Sequence, residues 1–309
     1  MKKVVITGAT GFVGQHLLED LLPTKHTIRF ITRDTSKKLR VDIGNCEVVV
    51  ADLSNYESLK SAFRNIDTIV NIAAEVRNSD LLAETNIKGI ENLIAAAKVN
   101  KVSKIIHLSS VGVVGMQYSA IPVIIDENSK CEPKNEYERT KLESERLLIE
   151  ASETNNFKLD IIRPTNVFGE HHPFNALLNL ISYINSGKLV FGTSAARVNY
   201  VYVKDLTSLI IQLIDDEKQR GIINIGSSEN FQKFIAIINV HLGKKLKNYS
   251  FPQLIIKCAD IVNFKKLNAI SNQVIYSDEK LKTFFAYPNG LEKGLQNTID
   301  HYKKNNLLK

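Results

Sequence analysis

The sequence predicts an α/β protein built on a doubly wound parallel sheet, and three observations indicate this class. Short apolar runs rich in β-branched residues alternate with longer amphipathic stretches, which is the pattern of βαβ units. The 309 residues are 44% hydrophobic and 24% charged, an ordinary globular composition that excludes collagen-like and largely disordered chains. No internal repeat or flexible linker is visible, so we expect any second domain to consist of C-terminal segments folded against the first.

Strands and helices are expected to alternate from the first residues to about Pro164. The strands are predicted at Lys3–Thr7, Thr27–Thr32, Glu47–Ala51, Thr68–Ile72, Lys104–Ser109 and Leu159–Arg163. The helices are predicted at Phe12–Leu22, Tyr56–Arg64, Leu81–Val99 and Tyr137–Glu153. After Pro164 the rhythm breaks, and we expect helix Ala176–Ile184, strand Val198–Val203, helix Lys204–Asp215, strand Ile222–Ile225 and irregular helices beyond Phe231.

The net charge of +7 is concentrated near the C-terminus. Residues 233–309 contain 13 lysines, five acidic residues and no arginine. Because arginine is expected on surfaces that read nucleic acid, we expect a solvated lysine face and no nucleic-acid partner. Three scattered cysteines indicate neither a disulfide framework nor a zinc site. No signal peptide or membrane-spanning apolar stretch is visible, so the cytoplasm is the expected compartment.

A glycine-rich loop follows the first strand and opens the first helix. Gly8 permits a tight turn, Gly11 lets a pyrophosphate approach the backbone, and Gly14 lets the helix pack on the strand. The helix N-terminus adds free N–H groups and a partial positive charge. This spacing between a strand and a helix predicts a dinucleotide-binding loop, with contacts expected from Gly8, Thr10, Gly11, Phe12, Val13 and Gly14.

The end of the second strand predicts which dinucleotide is preferred. Dinucleotide folds often place an acid here against the ribose 2′-OH, but this strand ends in Thr32 and Arg33. Arg33 together with Lys37 suits a 2′-phosphate, so NADP is favoured over NAD. Asp34 keeps NAD open, because its carboxylate either turns toward the ribose or starts a turn.

Three residues together predict acid/base chemistry on an alcohol or carbonyl oxygen. Tyr137 and Lys141 are four residues apart, so they share one face of a predicted helix. A phenol with an ordinary pKa near ~10 is mostly protonated at neutral pH, and a nearby ammonium favours the phenolate. Ser110 stands at the carboxyl end of the fifth strand, the edge where open α/β sheets place ligand-facing groups.

These motifs resemble those of the extended short-chain dehydrogenase/reductase family, also called the NAD-dependent epimerase/dehydratase family. The matching segments are Thr7–Gly14 with TGxxGxxG, Ser109–Gly115 with SSxxVYG, Tyr137–Lys141 with YxxxK, Arg163–Gly169 with RPxNVYG and Tyr200–Leu206 with FVHVxDL. Val114 stands in place of the usual tyrosine of SSxxVYG. The resemblance covers nearly the whole chain and implies a Rossmann-type sheet with a smaller C-terminal substrate-binding domain.

The resemblance also implies roles for individual residues. Tyr137 would act as the acid/base, Lys141 would hold the ribose and lower the tyrosine pKa, and Ser110 would orient the reacting oxygen. Further cofactor contacts are implied at Asp52, Leu53, Ala73, Ala74, Asn86, Ser109, Tyr137, Lys141, Pro164 and Val167. Substrate contacts are implied at Val76, Asn166, Arg197 and Tyr200.

Domains and assembly follow from the same resemblance. Residues 1–170, joined by residues 195–226, would form the NAD(P)-binding Rossmann domain. Residues 171–194 and 227–309 would form the substrate-binding domain. A homodimer would be joined through the helices Leu81–Val99 and Tyr137–Glu153.

More than one reaction on a small-molecule substrate is compatible with these motifs. Family dehydratases carry an acidic pair after the catalytic hydroxyl, whereas Val111 and Gly112 follow Ser110 here. Epimerase-like hydride transfer on a nucleotide sugar is favoured, although Arg197 lies one residue earlier than the diphosphate-binding arginine of epimerases. The alternative is an NADP-dependent carbonyl reductase similar to dihydroflavonol reductases and sterol dehydrogenases, as the segment Phe251–Leu254 indicates. The complete Ser/Tyr/Lys set disfavours a non-catalytic dinucleotide sensor.

Three further features are expected to have no separate chemical role. The adjacent His171 and His172 are expected to point in different directions and have no evident carboxylate pair, so we expect a loop that lines the substrate cleft and no metal site. His107 lies on a buried strand and is expected to be a core histidine. The segment Leu254–Phe264 is expected to form a helix covering the substrate cleft, with a helix on a membrane surface as the alternative.

Overall fold

The computed structural model describes residues 1–44, 46–76, 78–155, 157–173, 176–188, 190–245, 249–250 and 271–308. The chain divides into two compact units. The first contains Met1–Gly115, Lys130–Pro164 and Leu206–Ile223, and the second contains Met116–Ser129, Thr165–Asp205 and Asn224–Lys309. Residues 116–129, 165–170, 195–205 and 224–226 therefore group with the second unit, whereas the sequence analysis assigned them to the first domain. The helix predicted at Leu254–Phe264 and the segment Phe251–Leu254 lie outside the described residues.

The regular elements are as follows. The strands are β1 (Lys3–Thr7), β2 (Thr27–Thr32), β3 (Glu47–Val50), β4 (Thr68–Asn71), β5 (Lys104–Leu108), β6 (Val123–Ile125), β7 (Lys158–Pro164), β8 (Asn166–Phe168), β9 (Phe191–Gly192), β10 (Arg197–Tyr202), β11 (Gly221–Ile225), β12 (Ser227–Asn230), β13 (Tyr249–Ser250) and β14 (Val274–Tyr276). The helices are α1 (Phe12–Leu21), α2 (Tyr56–Ala62), α3 (Ser79–Ala83), α4 (Gly89–Val99), α5 (Glu136–Asn155), α6 (Ala176–Asn185), α7 (Val203–Asp215), α8 (Phe231–Leu242), α9 (Glu279–Lys282) and α10 (Gly290–Lys304). A π-helical turn, Glu84–Lys88, joins α3 to α4, and a 3₁₀ turn, Val111–Val114, follows β5.

A seven-stranded sheet forms the centre of the first unit, in the order β11-β7-β5-β4-β1-β2-β3. The pairs β1–β2, β2–β3, β1–β4, β4–β5 and β5–β7 are parallel. The chain builds outward from β1 in both directions, so the strand order reverses between β1 and β4. Open α/β sheets bind ligands at the carboxyl ends of the strands beside such a reversal. The predicted doubly wound fold is therefore confirmed.

Continuous apolar strands hold this sheet between helices. Val4, Val5 and Ile6 of β1 are all fully buried, as expected for a parallel strand covered on both faces. On one face, the side chains of Phe63 and Leu93 belong to a single apolar cluster that joins α2, α4 and α5 to the sheet. The predicted outer bounds of the first unit's elements differ from the observed ones by at most two residues, but the single helix predicted at Leu81–Val99 is divided into α3, the π-helical turn and α4.

The second unit contains short strands from distant parts of the chain. β10 pairs antiparallel with β12 and parallel with β8, while β6 pairs parallel with β14 about 150 residues later. Helix α10 packs so closely on β10 that a Cβ on Gly294 would lie 2.6 Å from Cγ of Tyr202. No helix in the described segments is long and apolar enough to cross a membrane.

Candidate active site

The glycine loop after β1 closes tightly against the rest of the first unit. Gly8 has φ +72°, and a Cβ there would lie 2.7 Å from the backbone nitrogen of Ala73. A Cβ on Gly14 would lie 2.2 Å from the carbonyl oxygen of Gly8, so α1 can start this close to the loop only with glycine at that position. Gly11 donates its backbone N–H to the Gly8 carbonyl at 3.0 Å and completes the turn.

A cleft of about 230 Å³ opens above this loop at the carboxyl ends of the strands. The residues that line it are Thr7, Gly8, Thr10, Gly11, Ile31, Thr32, Arg33, Lys37, Ala51, Asp52, Leu53, Ile72, Ala73, Ala74, Glu75 and Thr85. Nine of them were predicted as cofactor contacts. Seven were not: Thr7, Ile31, Thr32, Ala51, Ile72, Glu75 and Thr85. The first six lie within two residues of predicted contacts that line the cleft, whereas Thr85 lies on the π-helical turn, which nothing in the local pattern predicts.

Three charged side chains mark the end of the cleft near β2. Arg33 Nε lies 4.0 Å from Asp52 Oδ2, and the Arg33 side chain is 63% exposed. Asp34 accepts hydrogen bonds from the backbone N–H and the hydroxyl of Ser36, which lower the pKa of its carboxyl. Of the two orientations expected for Asp34, the structure therefore has the one that starts a turn.

Asn86, predicted as a cofactor contact, does not line the cleft, and its buried amide holds the loop after β4. Its Oδ1 accepts the backbone N–H of Glu75 at 2.8 Å, and its Nδ2 donates to the Glu75 carbonyl at 3.0 Å. Nδ2 also donates to the hydroxyl of Thr140 on α5. The π-helical turn Glu84–Lys88 places Asn86 inward and Thr85 toward the cleft, and such turns often mark functional sites.

The predicted Ser/Tyr/Lys set is distributed between the end of β5 and the start of α5. Ser110 caps the 3₁₀ turn, and its Oγ accepts the backbone N–H of Gly112 at 3.0 Å. A Cβ on Gly112 would lie 3.2 Å from that Oγ and 3.3 Å from Cγ of Glu138, so Ser110 faces the first turn of α5. Lys141 Nζ returns to β5 and donates to the carbonyl of Leu108 at 2.6 Å.

The electrostatics of this set differ from the expectation in one respect. Burial, and secondly the charge of Glu138, raise the pKa of Tyr137, so its phenol is protonated at neutral pH. Burial lowers the pKa of Lys141 to about 8, with Glu145 acting in the opposite direction. The expected lowering of the tyrosine pKa is therefore not present in this structure, because burial affects both groups and disfavours the charged form of each.

The residues of the cleft fit a dinucleotide. The glycine loop leaves a cradle that side chains would fill, and its helix directs backbone N–H groups into the position that phosphates require. Ser109, a predicted contact, has a buried hydroxyl oxygen without a hydrogen-bond partner among the described residues. The other predicted contacts are not among the residues that line the cleft; they are Phe12, Val13, Gly14, Ser109, Tyr137, Lys141, Pro164 and Val167.

The predicted substrate contacts fall into two groups. Val76 lies in the first unit, half exposed after β4. The second unit carries the others: Asn166 and Tyr200 are register partners on β8 and β10, and Arg197 begins β10. The Tyr200 ring stacks on Phe234 of α8 with centroids 5.2 Å apart, and burial raises the pKa of its phenol.

The histidine pair after β8 shows ring packing. The His171 ring lies edge-on to His301 with centroids 4.3 Å apart. In the described part of the chain, no group of three or more His, Cys, Asp or Glu side chains is arranged to hold a metal ion.

Comparison with known proteins assigns the family. The model of the NAD dependent epimerase/dehydratase family matches residues 4–226. The chain belongs to this family. As a member, it is an enzyme of the extended short-chain dehydrogenase type, as the motifs of its sequence predicted.

Several proteins similar to this chain are named as sugar 4-epimerases. The N-acetyl-alpha-D-glucosaminyl-diphospho-ditrans,octacis-undecaprenol 4-epimerase of Escherichia coli O157:H7 is 29% identical over 259 residues, covering 81% of this chain and 75% of that protein. The UDP-glucose 4-epimerase of Thermotoga maritima, solved with UDP-glucose, has a TM-score of 0.76 at 20% identity, covering 98% and 99% of the two chains. The UDP-glucose 4-epimerase of Thermus thermophilus, solved with NAD, has a TM-score of 0.73 at 21% identity, covering 97% and 99%. At these identities, the two structures establish the fold.

Proposed function

We propose that this protein is an NAD(P)-dependent epimerase that inverts a hydroxyl-bearing carbon of a nucleotide sugar. The observation that supports it most directly is one compact unit that carries both the glycine-loop cleft and the Ser110, Tyr137 and Lys141 set. The Thermotoga maritima epimerase, solved with UDP-glucose, supports a nucleotide sugar as the substrate class. The name of the Escherichia coli relative specifies a sugar on undecaprenol diphosphate and supports only the diphosphate-linked sugar.

The reaction needs a proton to leave the hydroxyl oxygen and a hydride to leave the carbon that bears it. The hydride then returns to the opposite face of that carbon, and the proton returns to the oxygen. A bound nicotinamide supplies the hydride acceptor and donor. The phenolate of Tyr137 takes the hydroxyl proton in the oxidising direction, and the phenol so formed returns it to the keto oxygen in the reducing direction. Because burial raises the pKa of Tyr137, the phenolate that starts the oxidation is the minor form at neutral pH. Ser110 hydrogen-bonds the same oxygen, and Lys141 holds the ribose of the dinucleotide.

The absence of an acidic pair supports epimerisation over dehydration. Elimination of water from the sugar requires a further acid and base beside the reacting carbon. Val111 and Gly112 follow Ser110 in the 3₁₀ turn and offer neither group.

For the cofactor, we infer NADP. Arg33 and Lys37 line the cleft where a 2′-phosphate would be held, and Asp34 is engaged by Ser36. NAD is the alternative, since Asp52 also lines this part of the cleft and the carboxylate can accept a ribose hydroxyl.

We further infer a homodimer through α4 and α5 and a substrate-binding role for the second unit. Light scattering coupled to size exclusion tests the dimer, and a monomeric mass at micromolar concentration would refute it.

The proposed function is tested by product analysis with a set of nucleotide sugars instead of a single candidate substrate. The purified protein is incubated with UDP-glucose, UDP-galactose, UDP-N-acetylglucosamine, UDP-N-acetylgalactosamine and dTDP-glucose, and the products are separated chromatographically. We expect interconversion of one C4-epimeric pair without net consumption of cofactor. Stoichiometric oxidation of NADPH with a carbonyl acceptor, and no epimer, would instead support the reductase alternative.

A further inference from the structure

One amide side chain of the first unit joins the glycine loop to the segment that follows β2. Gln15 lies in the first turn of α1, where its backbone N–H donates to the Gly11 carbonyl at 2.9 Å. Helical side chains point back toward the helix N-terminus, and Gln15 Nε2 donates to the carbonyl of Thr10 at 3.2 Å. Gln15 Oε1 accepts the backbone N–H of Arg40 at 3.1 Å. Arg40 belongs to residues 33–44, which we call the β2–β3 segment.

The orientation of this amide is determined by its two partners. The Thr10 carbonyl can only accept a hydrogen bond, and the backbone N–H of Arg40 can only donate one. With the amide turned over, its N–H₂ would face the N–H of Arg40 and its oxygen would face the carbonyl, so both bonds would be lost. An ionised carboxylate would accept from Arg40 but could not donate to Thr10. The bridge therefore requires a side chain with a donor and an acceptor at its end, as glutamine has.

The side chain of Arg40 forms a second link to the same helix. Its Nε donates to Oε1 of Glu19 at 3.1 Å, and Glu19 lies one turn after Gln15 on α1. The two charged side chains are only 20% and 25% exposed, so water screens their attraction less than it does for a fully exposed pair. Backbone and side chain of Arg40 are therefore both held against α1.

These links determine where Lys37 lies, because they hold the β2–β3 segment from its C-terminal side. On the N-terminal side, the backbone N–H of Asp34 donates to the hydroxyl of Thr32, the last residue of β2, at 3.2 Å. Lys37 lines the cleft three residues after Asp34 and three residues before Arg40. Arg33 directly follows the strand, whereas Lys37 depends on the links at Arg40 to remain beside the cleft.

We propose that Gln15 is a positioning residue that couples the glycine loop to the β2–β3 segment and thereby holds Lys37 in place for the 2′-phosphate of NADP. The amide connects the loop suited to the pyrophosphate with the segment suited to the adenosine end of the dinucleotide. A lysine that is already held loses less conformational entropy when it contacts a ligand, so the contact is stronger. The effect on NADPH rests on the proposed function, whereas the coupling of the two segments does not.

The first measurement uses the protein without ligand and follows hydrogen exchange at the backbone N–H of Arg40 by NMR. Gln15→Met keeps the length of the side chain but offers no amide, so exchange at Arg40 should become about tenfold faster. Gln15→Glu keeps the acceptor and should leave this amide as protected as in the wild type. Unchanged exchange in Gln15→Met would overturn the proposal.

The second measurement compares the dissociation constants of NADPH and NADH by calorimetric titration. In Gln15→Met, NADPH should weaken about three- to fivefold more than NADH, since an exposed charged contact with Lys37 is lost. Gln15→Glu adds a negative charge beside the glycine loop but retains the link to Arg40, so both dinucleotides should weaken by a similar factor. Equal weakening of both dinucleotides in Gln15→Met would confine Gln15 to the glycine loop and overturn the proposal.

A double-mutant cycle tests whether Gln15 acts through Lys37. In the Lys37→Met background, Gln15→Met should weaken NADPH and NADH equally, because the side chain that it positions is gone. A selective loss of NADPH that persists in this background would contradict the proposal. Gln219→Met replaces an exposed glutamine of the first unit and should change neither the exchange nor the ratio of the two constants.

A further variant keeps the test decisive if Gln15→Met does not fold. Glu19→Ala removes the second link of Arg40 and should change the exchange and the ratio in the same direction, by about twofold. If this variant folds and changes neither, the proposal is wrong. A wild-type protein that binds neither dinucleotide, or prefers NADH, would count against the proposed function, and the exchange at Arg40 would still decide whether Gln15 couples the two segments.

Discussion

The two units differ in how they hold their candidate functional groups. In the first, Thr7, Asn71 and Ser110 lie at or just beyond the carboxyl ends of parallel strands, so all three are at the same edge of the sheet. In the second, Asn166, Arg197 and Tyr200 lie on strands of three and six residues, surrounded by partners from distant segments. A parallel sheet brings its polar strand ends together by topology alone, whereas a short mixed sheet depends on side-chain packing for the same result. Substitutions in the first unit should therefore affect cofactor and proton transfer, and those in the second should affect substrate.

The largest effect is expected from the phenol of the first unit. Tyr137→Phe removes the acid/base and should reduce turnover by about 10²–10⁴-fold while leaving dinucleotide affinity nearly unchanged. Steady-state rates and a fluorescence titration with NADPH measure the two quantities. Turnover close to that of the wild type would remove Tyr137 from the mechanism.

A substitution in the second unit should instead weaken binding of the sugar and leave binding of the dinucleotide unchanged. Arg197→Ala should raise KM for the nucleotide sugar by about 10- to 150-fold, because a charged hydrogen bond is worth roughly 1.5–3 kcal/mol, and should leave NADPH affinity unchanged. Arg197→Lys is the matched control, since it keeps the charge but loses the planar fork and should be intermediate. Equal losses of sugar and NADPH affinity in the Ala variant would argue against a separate substrate role.

The buried lysine should make stability depend on pH. The folded-state pKa of Lys141, about 8, is below its ordinary value of 10.5, so the unfolded chain binds the extra proton between these limits. Stability of the wild type should therefore rise relative to Lys141→Met by about 2 kcal/mol between pH 8 and pH 10. Urea unfolding of both proteins measures this difference, with Lys98→Met as an exposed control. If the free energies of unfolding of the two proteins change with pH in parallel, the charge on Lys141 does not destabilise the folded state.

The smallest effect is expected at the exposed end of the cofactor cleft. Arg33→Ala should weaken NADPH about tenfold, at the lower end of the range for charged hydrogen bonds because the side chain is 63% exposed. NADH affinity should change little, and Arg64→Ala, an exposed arginine outside the cleft, should change neither. A wild-type protein that prefers NADH would reverse the cofactor assignment and make Asp52 the next residue to test.

Prediction from sequence succeeded where local pattern and tertiary position coincide. The glycine loop was predictable because Gly8 and Gly14 lie too close to neighbouring backbone atoms to carry a Cβ. Close backbone contacts of this kind are common to strand–loop–helix units that bind dinucleotides. Asn86 was placed in the cofactor site, yet its amide is taken up by Glu75 and Thr140, since a π-helical turn rotates it away from the cleft. Such a turn changes the face of a helix without any signal in the spacing of apolar residues.

The sequence by itself determined the doubly wound fold and the family, because these depend on periodicity and on motifs a few residues long, and it predicted the Ser/Tyr/Lys set from the same motifs. Only the tertiary structure decided that Asp34 starts a turn, that burial raises the pKa of Tyr137, and that His107 connects Lys141 to Asn71. The physical reason is that protonation and hydrogen-bond direction depend on which groups are buried together. His107 and Lys141 are 34 residues apart in the chain, and only the closure of α5 against β5 puts them in contact.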